Sequence, residues 1–217
     1  MADGEAVSPK RRQVLAAARE VFMESGFERS SCDVIAARAG VSKATIYSHF
    51  QDKHALFIAS FSEEADALRV EFLACLGEPG SDLHADLCAI GEKLINISLA
   101  PAFVSLYRHT YAEGARSPVI GQMLYDRGPV VVQTMLGSYL QKYAARGELQ
   151  IEDPRAAAVQ FIGLVQEDLI MRAHLGILEY PATEQVSAAV ERGVLSFTRA
   201  HRPLRKRARP AASPTKH

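Results

Sequence analysis

Residues 26–53 read GFERSSCDVIAARAGVSKATIYSHFQDK. The spacing predicts a helix, a tight turn at Gly40, a second short helix, and a third helix that opens at Lys53. Ala36 is small, as required where two helices cross closely. Gly40 has no Cβ and takes the positive φ that ends a helix. Ile46 falls on the inner face of the second helix, where Ile35, Val41 and Phe50 complete an apolar plug. Ser30 and Ser31 are both candidate N-caps, Ser30 with Asp33 in a capping-box pattern, while Ser42 caps the next helix and Asp52 the one after. Two helices joined by a short glycine turn form a helix-turn-helix, whose second helix enters the major groove of DNA. A helical hairpin inside a core has the same spacing. Here, however, Lys43, Thr45, Tyr47, Ser48 and His49 give the second helix a polar face that packing does not require.

The residues Ile35-Ala36, Ala39-Gly40-Val41-Ser42, Thr45-Ile46-Tyr47, His49-Phe50 and Lys53 resemble the TetR family of bacterial transcriptional regulators. Ala17, Ala18, Phe22 and Gly26-Phe27 extend the resemblance into the preceding helix, and Ala44 stands where the family often has Gly. Between 106 and 175 the stretches LYR…YAE, RGELQIEDPRAAA and QFIGLVQEDLIMRAHLG are similar to the AefR-like subgroup of effector domains. The resulting expectation is an all-α chain. Residues 1–55 form an N-terminal three-helix DNA-binding domain, 56–201 a C-terminal helical effector-binding and dimerisation domain, and 202–217 a disordered basic tail.

Composition agrees with a soluble globular chain. Of 217 residues, 48% are hydrophobic and 23% charged, enough for a substantial core. No run of apolar residues is long enough to span a bilayer. The opening MADGEAVSPKRRQ lacks the apolar stretch of a secretory signal. The expectation is a cytoplasmic protein without a membrane partner. Cys32, Cys75 and Cys88 are odd in number and widely spaced, which argues against a disulfide framework or a zinc site, and no metal or cofactor is expected. Cys32 lies in the first turn of a helix, where a thiolate is favoured, and a redox role there competes with a plain packing one. Net charge is zero, yet seven of the 25 Lys and Arg lie from Arg199 onward with no acid among them, which leaves the rest of the chain near −7. A neutral total therefore does not count against a DNA partner.

Glycines and prolines divide the remainder into helices at about 9–25, 52–76, 82–99, 101–114, 118–127, 129–146, 154–175 and 183–200. In the last, Val186, Ala189, Val190, Gly193, Val194 and Phe197 form one stripe, and Phe161, Val165 and Leu169 lie on the helix before it. Periodicity alone reads these faces equally as intrachain core. The family resemblance implies instead that they join a second copy in a four-helix bundle, as a homodimer.

A dimer sets two recognition helices in successive major grooves and prefers a palindromic operator in double-stranded DNA. Partly from the resemblance and partly from exposure, Tyr47, His49 and Lys53 are assigned to phosphates together with Ser30 or Ser31, and Lys43, Ala44, Thr45 and Ser48 to the groove. The resemblance also implies a small-molecule effector and a pocket. Phe103, Leu106, Tyr107, Thr110 and Tyr111 share a helical stripe, with Met123, Tyr125, Met135 and Phe161 as further candidates for a largely apolar ligand. The expected function is a ligand-responsive repressor. The alternatives are a ligand-independent activator or architectural protein, and a helical enzyme, for which no catalytic motif stands out.

Overall fold

The protein is described by a computed structural model covering residues 8–203 apart from 116 and 179. The basic tail from 204 onward, and with it the expectation of disorder, lies outside the described residues. The described residues form eleven helices and no strand: α1 (Pro9–Arg29), α2 (Cys32–Arg38), α3 (Lys43–His49), α4 (Lys53–Ala74), α5 (Leu83–Ser98), α6 (Pro101–Gly114), α7 (Pro118–Arg127), α8 (Pro129–Ala145), α9 (Pro154–Gln166), α10 (Leu169–His174) and α11 (Thr183–Ala200).

Their starts are set by local chemistry. Proline opens α1, α6, α7, α8 and α9, where its missing N–H costs nothing. Side chains cap α2, α3, α4 and α5: Ser31 accepts from the Val34 amide, Ser42 from Thr45, Asp52 from Ala55 and Asp82 from Ala85. Ser31 is thus the N-cap of α2, and the capping-box assignment to Ser30 is corrected. The regular part of α1 ends as expected beside Ser25, because Gly26 has φ 74° before a last turn runs on to Arg29.

Two apolar cores hold the helices. The first joins α1–α4 around Phe22, Phe57 and Ile46, and extends beyond residue 55 through Phe61 to Leu106 of α6 and Ile120 of α7. The second joins α5, α8, α9 and α11 around Phe161, Leu140, Leu94 and Phe197. Helix α9 is seated on glycine at both ends. A Cβ on Gly137 of α8 would stand 2.6 Å from the Pro154 carbonyl oxygen, and one on Gly193 of α11 would stand 2.7 Å from that of Leu164. Only glycine permits such backbone approach.

This packing corrects two expectations. The residues assigned to the dimer interface, Phe161, Val165, Leu169, Val186, Ala189, Val190, Gly193, Val194 and Phe197, all point into the single chain's own core. The large apolar groups facing outward on α9 and α11 are Val159, Leu164 and Leu195. The single helix expected over 154–175 is also broken. Glu167 takes φ 44° and ψ −129°, a left-handed conformation unfavourable for a side-chain-bearing residue. Arg192 of α11 holds it there, donating to both carboxylate oxygens at 2.8 and 2.7 Å.

Candidate DNA interface and effector cavity

Helix α3 is pinned from one side by Ile46, which is 1% exposed, and Val41 and Phe50 close the plug around it. Lys43, Ala44, Tyr47, Ser48 and His49 face solvent, with Thr45 half-buried beside them. The polar groups on this face already have local partners. Lys43 Nζ donates to Asp33 at 2.9 Å, which raises the lysine pKa and keeps the charge. Ser48 Oγ donates to the Thr45 carbonyl at 2.8 Å, and the Thr45 and Ser42 hydroxyls lie 2.9 Å apart. The neighbouring Cys32 thiol pushes the Tyr47 pKa up, so the hydroxyl stays neutral. Cys32 is buried beneath it.

Two of the expected phosphate contacts are oriented differently. Ser30 is 5% exposed and donates to the Phe27 carbonyl at 2.6 Å, so its hydroxyl faces the core and is removed from the DNA set. Ser31 remains beside the free amides at the start of α2. The ammonium of Lys53 donates to the carbonyls of Phe27 and Ser30 at 2.9 and 3.2 Å and lies 4.3 Å from the centre of the Phe27 ring. Lys53 therefore ties the end of α1 to the start of α4, a positioning role rather than the phosphate contact expected of it.

A cavity of about 260 Å³ lies between α4, α5, α6, α7, α8, α9 and α10. One wall is aromatic. Phe103 stacks on Tyr107 with ring centres 6.4 Å apart, Tyr107 stacks on His174 at 5.4 Å, and Tyr111 meets His174 edge-on at 5.4 Å. Leu94, Ile97, Val132 and Ile162 supply aliphatic surface, and Gln133, Gln166 and Arg69 supply polar groups. Burial pushes the Tyr107 hydroxyl up to about 12, with the neighbouring Tyr111 adding to it. Burial, then the Arg108 charge, lowers the His174 pKa. Its imidazole is held neutral, and its Nε2 is buried with no partner among the described residues.

Of the expected pocket residues, Phe103, Leu106, Tyr107 and Tyr111 line this cavity. The others do not. Thr110 and Tyr125 border a shallower depression between α6 and α7, Met123 packs against the N-terminal core, Met135 is exposed, and Phe161 belongs to the second core.

Residues 14–60 match the model of the tetR family of bacterial regulatory proteins, and residues 85–203 match the C-terminal domain of AefR-like transcriptional repressors. The chain belongs to the TetR family. TetR-family regulators bind DNA, generally as dimers, and are not enzymes. Among solved structures, the flavonoid-responsive regulator FrrA is 31% identical, with a TM-score of 0.78 over 92% of this chain and 98% of its own. The HTH-type regulator UidR of Escherichia coli is 30% identical over 127 residues, 58% of this chain and 62% of UidR. An HTH-type regulator of Mycobacterium tuberculosis is 28% identical over 57% of this chain and 66% of its own length. This chain thus spans less than two thirds of those curated relatives.

In this TetR-family chain the two functional regions share residues. Asp66, Arg69 and Phe72 carry α4 from the DNA module into the cavity wall. Helix α6 makes a second link. Leu106 lines the cavity and packs in the N-terminal core, His109 stacks on Phe61 at 5.5 Å, and the Glu113 carboxylate lies beside Gly26. Helices α4 and α6 therefore both reach the two regions. Sequence reasoning also missed His174, Gln133, Gln166 and Arg69. Each lies on a helix other than α6, and no local pattern marks which face of that helix is concave. Among the described residues no single helix is long and apolar enough to cross a membrane.

Proposed function

We propose that this regulator is a homodimeric repressor released from a palindromic operator by a compact, flat, largely apolar ligand. The observation that carries the proposal is the cavity that shares Leu106 with the core of the DNA module, so that filling one perturbs the other. The stacked wall of Phe103, Tyr107 and His174 suits an aromatic ring, and the unpartnered His174 Nε2 suits a polar handle on that ring. The volume is near the lower end of the ~300–1,000 Å³ typical of ligand sites, which favours a small ligand. Two relatives support the reading: FrrA is described as flavonoid-responsive, and the matching C-terminal family as repressors. A ligand-independent activator would have no use for a concave site with an orphaned imidazole.

The test is an operator titration with and without a panel of flavonoids and simpler phenols. A ligand that fits only when the two DNA modules are wrongly spaced lowers operator affinity, and DNA lowers ligand affinity by the same factor, about 5–150-fold. Val132→Trp fills the cavity and is expected to abolish this response while free-protein affinity for the operator stays within twofold. A variant that still releases DNA at wild-type ligand concentrations would move the effector site elsewhere.

For the DNA face, Lys43, Ala44, Thr45 and Ser48 are proposed to read bases, and Ser31, Tyr47 and His49 to hold phosphates. On binding, Lys43 exchanges Asp33 for a guanine edge. Lys43→Ala is expected to flatten the preference at one base pair by roughly tenfold, while Tyr47→Phe weakens binding to all sequences alike. Selection from a randomised operator library checks this. An unchanged sequence preference for Lys43→Ala ends the base-reading role.

A further inference from the structure

We infer that His84, Cys88 and Glu191 form a binding site for a zinc-class divalent cation that ties α5 to α11. His84 and Cys88 are one turn apart on the same face of α5, and Glu191 reaches them from α11. Cys88 Sγ is 3.6 Å from His84 Nε2 and 3.6 Å from Glu191 Oε2, and those two atoms are 3.0 Å apart. The triangle can be compared with a tetrahedral zinc centre. With Zn–S of ~2.3 Å and Zn–N or Zn–O of ~2.1 Å, sulfur stands ~3.6 Å from either lighter atom, and nitrogen stands ~3.4 Å from oxygen. Both sulfur edges already have the required length. The third edge is short by a few tenths of an ångström, which is the length of the hydrogen bond that a cation would replace.

The donor set selects the ion. Thiolate, imidazole and carboxylate together suit zinc, whereas magnesium and calcium prefer oxygen alone. The His84 and Glu191 side chains are 44% and 51% exposed, so the ion enters from solvent and water completes the fourth position. The surroundings are acidic as well: Glu92, itself bonded to Ser187 at 2.7 Å, and Asp82 both act on the thiol through space. Coordination replaces the thiol proton, which leaves to solvent, with a Zn–S bond. No short-range motif announces the site, because the ligands pair an i,i+4 step with a residue 103 positions away. It lies on the same helix as Leu94, Ile97 and Ser98 of the cavity wall, so a bound ion braces that wall from its far end.

Cobalt(II) serves as the spectroscopic substitute in the full-length protein. One equivalent per chain is expected to produce a sulfur-to-cobalt charge-transfer band that zinc abolishes by displacement. Zinc at a hundredfold excess over its Kd is expected to raise the melting temperature by about 5–10 °C. Cys88→Ser removes both signals, His84→Ala and Glu191→Ala weaken cobalt binding at least tenfold, and Cys75→Ser changes neither. His84 and Glu191 are on the surface, so their variants retain the wild-type helical circular dichroism. The absence of a thiolate band in the wild type, or its persistence in Cys88→Ser, overturns the site and leaves the three side chains as a hydrogen-bonded cluster.

Discussion

Phe197→Ala is expected to destabilise the chain by about 3–5 kcal/mol, the range for deleting a large buried aromatic ring. Phe197 is fully buried, meets Phe161 edge-to-face at 5.3 Å and touches the ring of His201 at 4.4 Å. The hole cannot close by helix movement, because α9 already rests on the backbone of α8 and α11 at Gly137 and Gly193. An unrelaxed cavity costs more than the transfer of its missing atoms. Against a typical domain stability of about 5–15 kcal/mol, the loss is about a fifth of the total or more. Urea denaturation at one fixed protein concentration measures it, since a dimer's stability depends on concentration. The midpoint should fall with the slope unchanged. A loss under about 1 kcal/mol would mean that the inner face of α11 is not the core that its burial indicates.

Leu195→Glu, two residues away on the opposite face, is expected to do the reverse. Leu195 is 38% exposed and projects outward with Val159 and Leu164 of α9. We propose that this outward apolar face meets the second copy of the dimer; a charge there leaves the intrachain core untouched but disrupts that contact. The variant should keep its helical content while sedimenting as a monomer. Its affinity for a two-half-site operator should fall by roughly 10²–10⁴-fold, because two tethered modules no longer bind as one. Affinity for an isolated half-site should be unaffected. A variant that remains dimeric would shift the proposed interface away from this face.

The contrast between these two positions shows what was legible. Helix limits were readable because they depend on neighbours in sequence: Pro101, Pro118, Pro129, Pro154 and the Ser42 and Asp52 caps act within a turn. The solvent-facing side of α3 was readable for the same reason. Which apolar face of α11 meets which partner was not, because a core stripe and an intersubunit stripe have one periodicity. The break after α9 was hidden as well. The apolar pattern runs straight through it, and the conformation of Glu167 depends on Arg192, 25 residues on. Among the cavity residues, the α6 stripe was visible, while Thr110 and Met135 turned out to face elsewhere and His174 arrived from α10. Ser30 and Lys53 were misassigned because a polar residue beside a recognition helix looks the same whether it faces a phosphate or a neighbouring carbonyl.

The interruption at Glu167 separates two duties that one continuous helix would have merged. On its N-terminal side α9 is seated on glycine and fixes the scaffold. On its C-terminal side α10 is a six-residue piece that carries His174, with its last carbonyls held by the Arg108 guanidinium of α6. That piece can tilt or change composition without unseating α9. Under the function proposed above, chemical taste is thereby uncoupled from architecture: substitutions in the short segment would retune which compound is sensed and leave the frame of α8, α9 and α11 intact.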